Sequence, residues 1–155
     1  MPSSHLARAL AALTLLIAAV AHAHDIPADV RIQAFLKPER GHLTVLMRVP
    51  LAAMRDVDVP MRGPGYLDLA RAEPALRTAV QLWLTDNIEI DENGTRLANP
   101  SIAEARVSLA SDRSFADFAG AAAHLRGPRI PESTQLYWNQ QFLDVRLEYP
   151  IASER

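Results

Sequence analysis

Five histidines and no cysteine set the chemical repertoire of this 155-residue chain. Without thiols there is no cysteine nucleophile, no Cys-ligated zinc, no iron–sulfur cluster and no c-type haem attachment. Two of the histidines, His22 and His24, stand beside a carboxylate in the string Ala21-His22-Ala23-His24-Asp25. If the chain is cut after Ala23, His24 becomes the first residue, and its α-amine and imidazole can chelate one metal ion as a pair. A further imidazole, from His42 or His124, would then complete a three-nitrogen copper site. A cut after Ala21 instead puts His24 in third place. There it can wrap square-planar Cu(II) or Ni(II) with the α-amine, two deprotonated amides and its own ring, a geometry those ions prefer. Asp25 adds a carboxylate in either case. The same string also serves as an ordinary cleavage site on a frayed terminus, and the sequence leaves these readings open.

The remaining residues offer less chemistry. His42 begins a predicted strand beside a turn, and His124 falls late in a predicted helix, where the dipole favours a cation. Beyond the ligand role above, both are expected to be structural or solvated. Asp56, Asp58, Asp86, Glu89, Asp91 and Glu92 fall at predicted turns and on polar faces, where solvation is expected. The chain contains no G-x-S-x-G, no H-E-x-x-H, no Walker-type loop and no EF-hand spacing. No enzymatic activity is expected.

The segment that positions the histidine string is the leader. Arg8 precedes an apolar block of 13 residues, Ala9 to Ala21, which ends in small residues. This is the build of a secretory signal peptide over residues 1–23, and it is shorter than the roughly 20 residues needed to span a bilayer. Residues 24–155 then form a single extracytoplasmic domain, long enough to bury about two-thirds of its unfolded surface. The whole chain has 16 basic and 18 acidic residues, and only Arg8 lies in the leader, so the mature balance is 15 against 18. Such a balance provides no footprint for nucleic acid or for direct lipid binding. An exported domain of this size without disulfides points to a bacterial periplasm.

Periodicity predicts the elements. Val30 to Lys37 and His42 to Val49 alternate around a turn at Pro38–Gly41, an antiparallel hairpin with Leu43, Val45, Met47 and Val49 inward. Pro50 to Gly65 is a long connection, read as a packed crossover. A helix opening at Glu73-Pro74 runs to Asn87 with an apolar stripe of Leu76, Val80, Trp83 and Leu84, on which Trp83 is expected in the core. Asn93-Gly94 favours a tight hairpin turn, and Ala103 to Leu109 forms a strand. Ser114 is expected to cap a second helix, with Asp117 as the capping-box acid, and Gly127-Pro128 ends it. Ala119 to Ala123 gives that helix a narrow side able to lie close to a sheet. Leu143, Val145, Leu147 and Tyr149 alternate with polar residues in the last strand, so one sheet face is expected to be solvated. The fold class is α+β: an antiparallel sheet or two-layer β-sandwich-like core of about six strands, with two helices against one side.

The combination of AHAHDIPADV, RGPGYLDLARA, DENGTRL, SLASDRSFADF and LYWNQQFLDVRLEYPI resembles the N-terminal extracytoplasmic domain of HupE/UreJ-type membrane proteins. That family is associated with nickel or cobalt uptake and with hydrogenase and urease maturation. The resemblance covers His24 to Ile151. It implies a non-enzymatic periplasmic accessory or sensory domain, tethered to the inner membrane through a permease-like partner or through transmembrane helices that follow it in the family. The family's metal-handling helix has no counterpart in the 155 residues, so no permease residue carries over. The alternative is a small periplasmic Cu(II)- or Ni(II)-binding carrier that uses the N-terminal histidines.

Overall fold

The computed structural model describes residues 30–54 and 56–153. In chain order these form β1 (Gln33–Glu39), β2 (His42–Pro50), α1 (Ala72–Val80), β3 (Asp91–Glu92), β4 (Thr95–Arg96), β5 (Ser101–Ser108), α2 (Phe118–Arg126) and β6 (Phe142–Pro150). The architecture is α+β. A four-stranded sheet has the order β1-β2-β6-β5 with every neighbouring pair antiparallel, and β3 and β4 form a separate hairpin. The last strand in sequence therefore lies in the middle of the sheet.

The β1–β2 turn is tighter than the sequence suggests. Pro38 and Glu39 pair with Leu43 and His42, leaving only Arg40 and Gly41 to turn the chain. Both have left-handed backbones, with φ of 55° and 77°, as a two-residue hairpin turn of this hand requires. Pro38 is tolerated because β1 is an edge strand and its missing N–H faces away from the ladder. The Asn93-Gly94 turn closes β3 onto β4 as its residues predict. In β5 the ladder slips between Ile102 and Glu104, a bulge at Ala103, and the strand ends at Ser108, one residue before the exposed Leu109.

One face of the sheet carries the main core. Leu43, Val45, Met47 and Val49 of β2, Ala105 and Val107 of β5, and Leu143, Val145, Leu147 and Tyr149 of β6 pack with Leu76, Ala79 and Val80 of α1 and with Leu51, Met54, Val59 and Leu67 of the crossover. The opposite face carries a smaller apolar cluster: Leu46 with Phe115, Ala121, Ala122 and Leu125, flanked by Phe35 and Phe118. Neighbouring residues on a strand point to opposite faces, so Leu46 and Val45 put α2 and α1 on opposite sides of the sheet. The expectation that both helices share one side is thereby corrected. The expectation of a solvated face holds only in part: Leu46, Arg48, Arg106 and Asp144 on it are buried, while Thr44, Arg146 and Glu148 keep partial exposure.

Three local expectations also change. Beyond Val80 the helix widens over Gln81–Thr85, with the Asp86 amide donating to the Gln81 carbonyl at 3.1 Å. A wider turn advances each residue by a smaller angle; Leu84 stays buried and Trp83 is 39% exposed, not in the core. Asp117, not Ser114, is the N-cap of α2, accepting from the Gly120 amide at 2.7 Å, and Ser114–Ala116 forms a separate short turn. Val30 and Ile32, which precede β1, and Leu36 on it are exposed, while Phe35 packs on Phe115 and Phe118 at ring separations of 6.2 and 6.5 Å. The reason is coverage: α1 lies over β5, at the far edge of the sheet, whereas α2 lies over β2 and β6.

Candidate functional site

Between α2 and the polar face of the sheet lies a closed cluster of charged and hydroxyl groups. Arg48 on β2 and Asp144 on β6 are cross-strand partners, and Arg106 on β5 pairs with Asp144 from the other side. Alternation points all three at α2. The Arg48 guanidinium grips Asp144 with two bonds, Nε to Oδ1 at 2.7 Å and Nη2 to Oδ2 at 2.6 Å. It also donates to the Asp112 carboxylate at 2.8 Å and the Asp112 carbonyl at 3.0 Å. Its flat face lies on the Phe115 ring, 4.3 Å from the centroid, a cation–π arrangement strengthened by desolvation. Arg48 is 3% exposed and Asp144 0%.

Asp112 sits at the rim. Burial pushes its carboxyl up, but bonds from the Ser114 hydroxyl, Arg48 and the Ser114 amide, with His124 nearby, hold it down at about 2. Arg48 is itself subject to opposed effects: burial lowers its pKa, and the bonds to Asp144 and Asp112 raise it above the ordinary value.

His124 links the rim to the interior. Its Nε2 lies 2.8 Å from the Ser108 hydroxyl and 3.1 Å from Asp144, and its Nδ1 lies 3.5 Å from Asp112. Serine, histidine and aspartate meet here in the order of a hydrolytic triad. Ser108 Oγ lies within hydrogen-bond reach of both Asp144 Oδ2 and His124 Nε2, whereas a nucleophilic serine must hand its proton to the imidazole and meet an acyl donor. Ser108 is 0% exposed, and an acyl donor has no path to it.

Arg106 holds the other end of the helix. Its Nη1 donates to the carbonyls of His124 at 2.8 Å and Gly127 at 3.1 Å, and its Nη2 donates to that of Leu125 at 2.9 Å. Helix C-termini leave carbonyls without intrahelical partners, and one guanidinium fork satisfies this set. The polar face of the sheet thus clamps α2 through Arg106 and the preceding loop through Arg48.

Of the sequence-predicted metal ligands, His22, His24 and Asp25 lie outside the described residues. His42 is exposed, with Nδ1 3.2 Å from the Arg40 carbonyl. His124 meets Asp144, whose partner Arg48 is six residues along β2 from His42, a span of about 20 Å at strand rise. The two histidines therefore belong to different ends of the sheet. In the cluster, a guanidinium fills the space between the Asp112 and Asp144 carboxylates, so this donor set does not fit a divalent ion. Among the described residues no group of three or more His, Asp and Glu is placed to hold one.

Sequence reasoning missed Arg48, Arg106, Ser108, Asp112 and Asp144. Each occupies an ordinary polar position of an alternating strand or loop. The one available signal was opposite charge at matching depth in two strands, Leu46-Met47-Arg48-Val49 and Leu143-Asp144-Val145, which becomes informative only when those strands are known to pair. No protein-family model, curated protein or solved structure matches the chain.

Proposed function

We propose that the chain is a non-enzymatic extracytoplasmic accessory or sensory domain that works with a HupE/UreJ-type membrane protein in nickel or cobalt uptake. The observation that carries the non-enzymatic part is the closure of its most chemically loaded cluster. Ser108 and Asp144 have no exposed surface, and the Ser108 hydroxyl is bonded to Asp144 within the closed interior. The resemblance motifs supply these same residues. SLASDRSFADF contributes Ser108, Asp112 and Ser114, and LYWNQQFLDVRLEYPI contributes Asp144. RGPGYLDLARA meets the latter segment at a second place: the Leu67 amide donates to the Leu136 carbonyl at 2.9 Å and the Trp138 amide to that of Gly65 at 3.0 Å. Motif residues used to join separated segments are what a structural and docking domain needs, and the signal-type leader supplies the compartment.

The test is nickel and cobalt accumulation in the native host. Deleting the chain is expected to lower accumulation, and Ser108→Ala, at matched protein level, is expected to restore it as well as the wild type does. Loss of accumulation with a stably folded Ser108→Ala protein would argue for a working hydroxyl and against this reading. Repeating the experiment with His24→Ala addresses the metal-carrier alternative.

A further inference from the structure

The sheet has two edges, and they end differently. At β5 the ladder carries the Ala103 bulge, and Arg77 of α1 donates to the Ile102 carbonyl at 2.8 Å, devices that keep an edge from pairing again. At β1 six of the seven residues are exposed. Pro38 has no N–H and stands on the outward side of the strand. Hydrogen-bonded and unbonded residues alternate along an antiparallel strand, so Ala34 and Leu36 also point their backbone groups outward. Among the described residues no hydrogen bond reaches those groups.

The side chains at this edge carry the core face into solvent. Ala34 pairs with Met47 and Leu36 with Val45, and both β2 partners are buried. Leu36 itself is 56% exposed, and Ile32, just before the strand, 47%, because α1 lies over the far side of the sheet. The other face of the same segment is charged, with Arg31 at one end and Lys37 and Glu39, 3.2 Å apart, at the other.

We propose that this edge takes a second copy of the chain: two β1 strands pair antiparallel about a twofold axis at Phe35 and join two four-stranded sheets into one. The strand is self-complementary, as such an interface requires. Its outward backbone groups restrict the pairing to registers in which even-numbered residues face each other, and charge then selects among them. Centred on Phe35, Arg31 of each copy lies opposite Glu39 of the other, and Ala34 and Leu36 exchange their amide bonds. Centring on Ala34 sets Arg31 against Lys37, like charges that destabilise a cross-strand pair. Centring on Leu36 carries Arg31 past the end of the partner strand. In the favoured register Ile32, Ala34 and Leu36 of the two copies form one apolar stripe, burying surface that water now covers. The donor that Pro38 lacks falls at the ends of the ladder, opposite Ile32. The dimer does not rest on the accessory role.

The test is sedimentation of the purified chain from about 5 to 500 μM, with amide exchange read residue by residue. A reversible dimer is expected, with Kd on the order of 10–100 μM as suits a small interface. The Ala34 and Leu36 amides are expected to gain protection as concentration rises. Leu36→Lys, at an exposed position, is expected to leave circular dichroism unchanged and to weaken the dimer roughly tenfold or more. Arg31→Glu is expected to weaken it several-fold, and adding Glu39→Arg to restore it. A chain that stays monomeric throughout overturns the proposal and leaves the edge to a different protein. So does a dimer that Leu36→Lys or Arg31→Glu does not weaken, or one that the charge exchange fails to restore, since the contact or its register then lies elsewhere.

Discussion

At the scale of single residues, the fold depends on charge placed where water cannot reach it. Removing one partner of a buried ion pair leaves the other uncompensated, a cost of about 3–5 kcal/mol. Asp144→Ala removes the bidentate partner of Arg48 and leaves it only Asp112 at the rim, and is expected to lower unfolding free energy by about 3 kcal/mol, the lower end of that range, in urea melts. The double replacement Arg48→Met with Asp144→Leu is expected to lose far less, since neither side of that pair is then left as an unpartnered buried charge. Asp112 gives the cluster a pH signature. Its carboxyl is held at about 2 against an ordinary 3.8, so it contributes stability above pH 3.8 that is lost as pH falls through 2, about 2 kcal/mol in all. Asp112→Asn is expected to flatten that acid limb of the stability–pH curve. None of this was legible in the sequence. Arg48, Ser108 and Asp144 read as solvent-side residues of amphipathic strands, because alternation tells which residues share a face and not what later covers that face.

At the scale of elements, strands and turns were well signalled and helix phase less so. Period-two alternation located β2 and β6, and Asn93-Gly94 located the β3–β4 turn, because these signals are local. The position of Trp83 was misread because a widened turn at Gln81–Thr85 shifts the stripe, and no single residue announces such a turn. The anchoring of α2 leads to a prediction. Arg106 satisfies its terminal carbonyls with a planar fork that lysine cannot reproduce. Arg106→Met and Arg106→Lys are each expected to cost about 2–3 kcal/mol and to strip hydrogen-exchange protection from the last turn of α2, with α1 unaffected. The crossover has an equally specific joint at Gly65. Its φ is +80°, and an added Cβ would lie 2.5 Å from the Tyr137 ring. Gly65→Ala is expected to lower the melting temperature, and adding Tyr137→Ala to recover only part of it, because the backbone penalty of left-handed φ remains.

At the scale of the whole molecule, α1 and α2 sandwich a sheet whose central strand comes last in the chain. The α+β class was legible from the run of alternating and helical segments. The assignment of the helices to opposite faces was not, because it depends on β6 inserting between β2 and β5, a long-range pairing with no local signature. The same arrangement explains why polar strand positions become interior and why Ser108 and Asp144 have no exposed surface. The central claim is that this chain is exported and works beside a HupE/UreJ-type membrane protein. Its most direct test is to tag the chain at its native locus, solubilise the membranes in mild detergent, and identify both the mature N-terminus and the co-purifying proteins by mass spectrometry. The account predicts a chain beginning at His22 or His24, joined to or isolated in stoichiometric complex with a HupE/UreJ-type protein. An uncleaved chain in the cytosolic fraction, or a processed chain with no such protein joined or bound to it, would contradict it.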